Sequence, residues 1–121
     1  MAVVLIIDDS PTELHLFQNM LEKNGFEILV ADSGEEGLRQ AKTSRPDCIL
    51  MDVVMPGMNG FQATRKLTRD PDTAAIPVIM VTTKDQETDK IWGMRQGAVE
   101  YIVKPVVEQQ LVATINQVMA G

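Results

Sequence analysis

The sequence is short of the features that mark secreted, membrane or nucleic-acid-binding proteins. It holds one cysteine, Cys48, in 121 residues. No internal disulfide can form, and the apolar run around Cys48 makes it a small core residue rather than a reactive thiol. No apolar stretch approaches the length of about 18 residues that crosses a bilayer, so membrane insertion is not expected. The N-terminus has no basic region ahead of its first apolar run, and acids follow that run, unlike a signal peptide. Positive charge is scarce and scattered: 11 Lys and Arg stand against 17 Asp and Glu, a net charge of −6. Nucleic-acid binding rests on clustered cations that neutralise phosphates, and is not expected either. The single histidine, His15, falls one turn into the first helical segment and reads as exposed, without a catalytic role. Low-complexity segments, repeats and long linkers are missing too. What remains is one domain over residues 1–121, 45% hydrophobic, long enough to bury a core without staples and expected in the cytoplasm.

What is present is a repeated placement. Val3–Ile7 ends in Asp8-Asp9, Cys48–Met51 in Asp52, Val78–Val81 in Thr82-Thr83, and Tyr101–Val103 in Lys104-Pro105. With Ile28–Ala31 these runs are continuous, not alternating, as in strands buried on both faces. Segments of helical period separate them, which predicts crossovers and an α/β fold with five parallel strands and helices on both sides.

The helices carry start signals. Ser10-Pro11-Thr12-Glu13 and Ser33-Gly34-Glu35-Glu36 read as capping boxes, the first with proline at the first helical position. Leu14, Phe17 and Leu21 form the inner face of the first helix, which Gly25 stops. A third helix runs from Gly60 to Arg69. The fourth, roughly Asp85 to Gln96, is the weakest: Thr88 and Gly93 lie inside it, and Ile91, Trp92 and Met94 are its only apolar anchors. The fifth buries Leu111, Ile115 and Val118 but opens on Val106-Val107, where a missing cap costs about 1 kcal/mol.

In a doubly wound sheet the ligand crevice opens at the carboxyl ends of strands where the winding reverses. With the first strand central, Asp8, Asp9 and Asp52 converge there. Three unpaired carboxylates repel, and a divalent cation resolves the conflict. Magnesium takes a few carboxylate oxygens, keeps waters and binds phosphate oxygens. Lys104 adds a fixed positive charge and Thr82 a hydroxyl. Positioning and charge neutralisation supply most of phosphoryl-transfer catalysis, and an aspartate nucleophile gives a short-lived aspartyl-phosphate. For any one residue the bland alternative holds better, with Asp9 or Ser10 a helix cap and Lys104 a solvated charge. For all five at strand ends it does not.

The motifs LIIDDSPTE, ILMDVVMPGMNGF, VIMVTTK and EYIVKP, in this order and spacing, resemble the receiver domains of two-component response regulators across essentially the whole chain. The resemblance implies a flavodoxin-like doubly wound (βα)5 fold with strand order 2-1-3-4-5. It implies Asp52 as phosphoacceptor, and Mg2+ (or Mn2+) bound by Asp9, Asp52 and the Val54 carbonyl, with Asp8 helping directly or through water. Thr82 and Lys104 would hold phosphoryl oxygens. Tyr101 matches an aromatic that turns inward on activation, and Lys104-Pro105 a cis-peptide position. The phosphodonor would be a CheA-like histidine kinase, and the chain would catalyse only its own phosphorylation and dephosphorylation. Val54 and Lys84 sit where the family tunes phosphoryl loss; with no polar group on Val54, slow loss is expected.

With no output domain after the fifth helix, the chain resembles stand-alone receivers that dock onto another protein. SPTE, MPGMNGFQATR and VTTKDQETDK are similar to PilH-type regulators of twitching and phototactic pilus systems, which implies an output protein such as a pilus motor or its regulator. Trp92, Met94 and Tyr101 mark the partner face, although Trp92 reads equally well as partly buried packing. A phosphate sink for its kinase is the alternative role. A haloacid-dehalogenase-type phosphohydrolase would need two aspartates separated by one residue just after the first strand, whereas Asp8 and Asp9 are adjacent and the candidate nucleophile follows another strand. An FMN carrier would place phosphate where Asp8-Asp9 repel it.

Overall fold

Strand and helix alternate through the computed structural model, which describes residues 1–120. The elements are β1 (Val3–Ile7), α1 (Pro11–Glu22), β2 (Glu27–Ala31), α2 (Gly34–Ser44), β3 (Cys48–Met51), α3 (Gly60–Arg69), β4 (Val78–Thr82), α4 (Glu87–Arg95), β5 (Glu100–Val103) and α5 (Glu108–Ala120). All strand pairs are parallel, in the order β2-β1-β3-β4-β5. This is the expected doubly wound flavodoxin-like sheet, with β1 next to β3 and the winding reversing between them.

Period-two geometry splits the core into two layers. Leu5, Ile7, Ile49, Met51, Val78 and Met80 face one side, against Ala41 of α2 and Ala63 and Leu67 of α3. Val4, Ile6, Cys48, Leu50, Ile79 and Val81 face the other, against Phe17 and Leu21 of α1 and Leu111 and Ile115 of α5. The two edge strands depart from the expected full burial. Val30 of β2 is exposed, and of β5 only Ile102 is buried. A strand paired on one side only is covered on fewer sides, so continuous apolar runs there overstate burial.

Helix starts follow the sequence in part. Ser10 and Ser33 cap α1 and α2 by accepting from the Glu13 and Glu36 N–H groups at 3.3 and 3.1 Å. Neither expected capping box closes, because Glu36 turns to Arg39 and Gln40 and Glu13 turns to Lys104. A closed box occurs where none was expected, between Asn59 and Gln62 at the start of α3, with bonds of 3.0 and 2.9 Å.

The larger correction concerns α4. Ile91, Trp92 and Met94 do not anchor it; they are 47%, 47% and 45% exposed, and Gly93 is the buried residue of the helix. A Cβ on Gly93 would sit 3.1 Å from the Tyr101 ring and 3.5 Å from Met80. The glycine read as a weakness is what lets α4 lie on β5 and β4. Its apolar side chains point to solvent.

Gly60 fixes α3 to the site in the same way. Its N–H donates to Val53 O at 2.9 Å, and a Cβ there would run into the Asp52 carbonyl. Gly60→Ala is expected to lower stability by about 1–3 kcal/mol, the range for overpacking, with the loss read from the urea midpoint. An unchanged midpoint would show that α3 can retreat from the Asp52 backbone.

Candidate functional site

The sheet delivers the polar residues by its own hydrogen bonds. Beyond the last paired residues, the Asp8 N–H donates to Ala31 O at 3.1 Å, Asp52 N–H to Ile7 O at 3.0 Å and Lys104 N–H to Thr82 O at 2.8 Å. Because Ile7 lies in register with Met51, Asp8 and Asp52 emerge side by side. Asp8 and Asp52 follow directly on β1, buried from Val4 to Ile7, and on β3, buried throughout.

Asp8, Asp9 and Asp52 each bring a carboxylate oxygen into a group whose members lie within 4.8 Å of one another. Asp8 and Asp52 are buried and Asp9 is exposed, so the cluster is open on the Asp9 side. Lys104 reaches into it from β5. Its Nζ is 3.0 Å from Asp8 Oδ2, 2.9 Å from Glu13 Oε1 and 3.9 Å from Asp52 Oδ2. The stem crosses the Phe17 ring, with Nζ 5.8 Å from the centroid. The Lys104–Pro105 peptide is cis, as expected. Thr82, fully buried, lies close enough to Asp52 for its hydroxyl to favour the carboxylate.

These contacts do not fully satisfy the acids. Burial first, then the charge of Asp8, raises the Asp52 pKa above the usual carboxylate value; Lys104, the Val53 N–H and Thr82 oppose the rise without cancelling it. For Lys104, burial alone would lower the pKa. Hydrogen bonds that it donates to Glu13 and Asp8, with the charges of Asp52 and Asp8, outweigh burial and raise it, so the ammonium stays charged. A carboxylate made less acidic by burial and by the charge of Asp8, with an exposed acid beside it, fits a hydrated divalent cation: oxygen donors, excess negative charge and room for water. The residues present fit Mg2+, with Asp8, Asp9 and Asp52 as ligands.

Thr82 and Tyr101 both bond the backbone of one residue, Lys84, on the two peptide units that flank its Cα. The Lys84 N–H donates to Thr82 Oγ1 at 3.3 Å, and Lys84 O accepts from the Tyr101 hydroxyl at 2.8 Å. Tyr101 is tucked against the Gly93 backbone, and burial, then the charges of Asp89, Asp52 and Asp85, push its pKa up to about 12. Lys84 itself points to Asp89, 3.8 Å away. Val54, two residues beyond Asp52, is 57% exposed. Trp92 and Met94 lie outside the site on the exposed face of α4. His15 is exposed, and the Cys48 thiol is pushed up to about 12, chiefly by burial, which leaves it inert at neutral pH.

Glu13 and Phe17 belong to the site and were not foreseen as part of it. Glu13 carried a signal, but a competing one: its spacing from Ser10 is that of a capping box. Ser10 N–H instead donates to Asp8 Oδ1 at 3.0 Å, which leaves the Glu13 carboxylate to Lys104. Nothing in the sequence pairs residue 13 with residue 104.

Residues 4–116 match the family model described as the response regulator receiver domain. Protein PilH of Pseudomonas aeruginosa is 60% identical over 121 residues, which cover 100% of both chains. The alkaline phosphatase synthesis transcriptional regulatory protein PhoP of Bacillus subtilis is 33% identical over 116 residues, 96% of this chain but 48% of that protein; against such relatives the chain spans about half the length or less. Among solved structures, the chemotaxis protein CheY4 of Vibrio cholerae superposes with a TM-score of 0.92 at 33% identity, covering 98% of each chain.

The raised Asp52 pKa sets a pH dependence. An acid that holds its proton to higher pH when folded contributes full stability below its unfolded value, and that contribution is lost as pH rises through the folded value. At neutral pH the Asp52 charge therefore destabilises the fold. Asp52→Asn is expected to raise the melting temperature by a few degrees in metal-free buffer at pH 7, with the gap closing near pH 4 and shrinking under saturating Mg2+. Circular dichroism melts of both proteins check it; a variant that melts lower at pH 7 without metal would contradict the charge assignment.

Proposed function

Because the chain belongs to the response regulator receiver family, we propose that Asp52 accepts a phosphoryl group from a histidine kinase and that the fold converts this into a change on the α4 face. The observation that carries the reading is the convergence on one buried carboxylate of two further acids within 4.8 Å and an ammonium at 3.9 Å. An Asp52 oxygen attacks the phosphorus of a phosphohistidine; the P–O bond forms as the P–N bond breaks, and the imidazole leaves with the electron pair and takes up a proton. Lys104 and the Thr82 hydroxyl meet the phosphoryl oxygens, and Asp8, Asp9, Asp52 and the Val54 carbonyl hold Mg2+. The ion supplies neutralisation of charge on the acids and the transferred group. Loss of the group is hydrolysis, in which water attacks phosphorus and the carboxylate leaves. The exposed Val54 side chain offers that water no hydrogen bond, which supports slow loss. The reaction modifies the chain itself, so the protein is a regulator and not an enzyme with a separate substrate.

Phosphorylation has a short path outward. A phosphoryl oxygen that draws the Thr82 hydroxyl breaks its bond with the Lys84 N–H, and the Lys84 carbonyl holds Tyr101. The backbone of this one residue thus links the site to the residue that packs on Gly93 of α4. The 60% identity to PilH and the likeness to PilH-type motifs support a role in pilus-driven twitching or phototactic motility, with a CheA-like phosphodonor and a pilus motor or its regulator as output. Draining phosphate from the kinase is the second use of the same chemistry.

Incubation with acetyl phosphate is expected to label the protein only when Mg2+ is present, and to leave Asp52→Asn unlabelled. Metal-independent labelling, or equal labelling of the variant, would overturn the proposal. Hydrogen exchange should then change in the segment from Thr83 through α4 and stay level in α1. A uniform response across both helices would refute the path through Lys84.

A further inference from the structure

Lys104 is held by more acid than the proposed reaction uses. Asp8 and Asp52 are ligands for the ion and the phosphoryl group; Glu13, on the first turn of α1, is neither. Yet the Glu13 carboxylate makes the shortest contact that the ammonium has, 2.9 Å, against 3.9 Å to Asp52. The pair is sheltered, with the Lys104 side chain 11% and the Glu13 side chain 29% exposed. Glu13 is free to make this contact because Asp8 has taken the Ser10 N–H that a capping box would have given it.

We propose that Glu13 is a positioning residue that holds Lys104 on α1, off the phosphoacceptor, until a phosphoryl group on Asp52 draws the ammonium away. This rests on the reading of Asp52 as the acceptor. Once the ion occupies Asp8, the ammonium has two remaining anionic partners, Glu13 and whatever Asp52 carries. A carboxylate bearing only its own charge leaves Lys104 with Glu13. A phosphoryl group presents more charge and more oxygens, and the lysine transfers to it. A cleft of about 290 Å3, lined by Glu13, Leu16, Phe17, Thr83, Lys104 and Pro105, gives the released carboxylate room to turn aside. Glu13 thus opposes the phosphorylated state and sets how strongly the site grips its ligand.

Glu13→Gln keeps the size and helix propensity of the side chain and removes only the charge. With Mg2+ present, the variant is expected to bind beryllofluoride, a phosphoryl mimic, about threefold or more tightly than the wild type, the scale of a sheltered ion pair, as read by fluorine NMR. In a Lys104→Met background the same change should have no effect, which a merely structural role of Glu13 would not produce. In the wild type without fluoride, the nitrogen NMR signal of the Lys104 ammonium should differ from that of Glu13→Gln, and the two should converge once beryllofluoride is bound. Equal or weaker binding by Glu13→Gln overturns the inference while leaving the phosphoacceptor reading intact, as does an effect that survives in the Lys104→Met background or an ammonium signal that ignores residue 13. If the wild type itself fails to bind, the proposed function falls and this inference falls with it.

Discussion

Three carboxylates confined within 4.8 Å of one another repel by about 3 kcal/mol per pair even at an effective dielectric constant near 20, and among the described residues Lys104 is the cation that the fold places with them. That repulsion is the constraint on which the rest of the structure depends. A flexible scaffold would relieve it by letting the acids drift apart. Here Asp8 and Asp52 are tied by their own backbone N–H groups to the ends of neighbouring strands, and β1 and β3 are packed on both faces by two apolar layers. Relief by motion is therefore closed, and what remains is relief by binding. Lys104 supplies part of it, and a divalent ion suits the remainder.

The same rigidity fades with distance from the acids. β4 is buried throughout, β5 only in part, and α4 rests on them through Gly93 with its larger apolar residues outward. A helix seated through its backbone makes few side-chain contacts and is inexpensive to shift. Between the fixed and the loose parts lies the backbone of Lys84, whose N–H serves Thr82 and whose carbonyl, on the next peptide, serves Tyr101. The two groups flank one Cα, so a shift at the N–H reaches the carbonyl through the φ and ψ angles of a single residue. The coupling is short, and it is made of groups that the backbone supplies whatever side chain residue 84 bears.

Much of this was legible in the sequence, for physical reasons. Strands covered on both faces are apolar without interruption, so β1, β3 and β4 and the polar residues that end them stand out, and parallel pairing forces those ends together. Edge strands obey the same composition with less burial, which is why β2 and β5 looked more enclosed than they are. The reading of α4 failed because composition cannot distinguish an apolar residue that anchors a helix from one that the helix presents. Gly93 looked like a defect in propensity, yet its lack of a side chain is what allows the contact with Tyr101. Glu13 was hidden for another reason. Its local spacing fitted a cap, and the partner that claims it lies 91 residues away along the chain, beyond any local pattern.

Such failures fall where local preference and tertiary demand conflict, and that conflict is concentrated around function. Glu13 gives up a cap to hold Lys104, Gly93 gives up helix propensity to seat Tyr101, and Asp52 stays buried although its charge is disfavoured there. None of these choices serves the stability of the unliganded fold. Each leaves a contact that a phosphoryl group on Asp52 would rearrange: Lys104 would leave Glu13, Thr82 would leave the Lys84 N–H, and Lys104 would meet part of the added negative charge. A receiver whose acids were fully neutralised at rest would have nothing to gain from the ion, and one whose lysine already lay on Asp52 would have less to gain from the phosphoryl group. On the proposed function, the unsatisfied charge at the carboxyl end of the central strands would therefore be the source of the free energy with which phosphorylation moves α4.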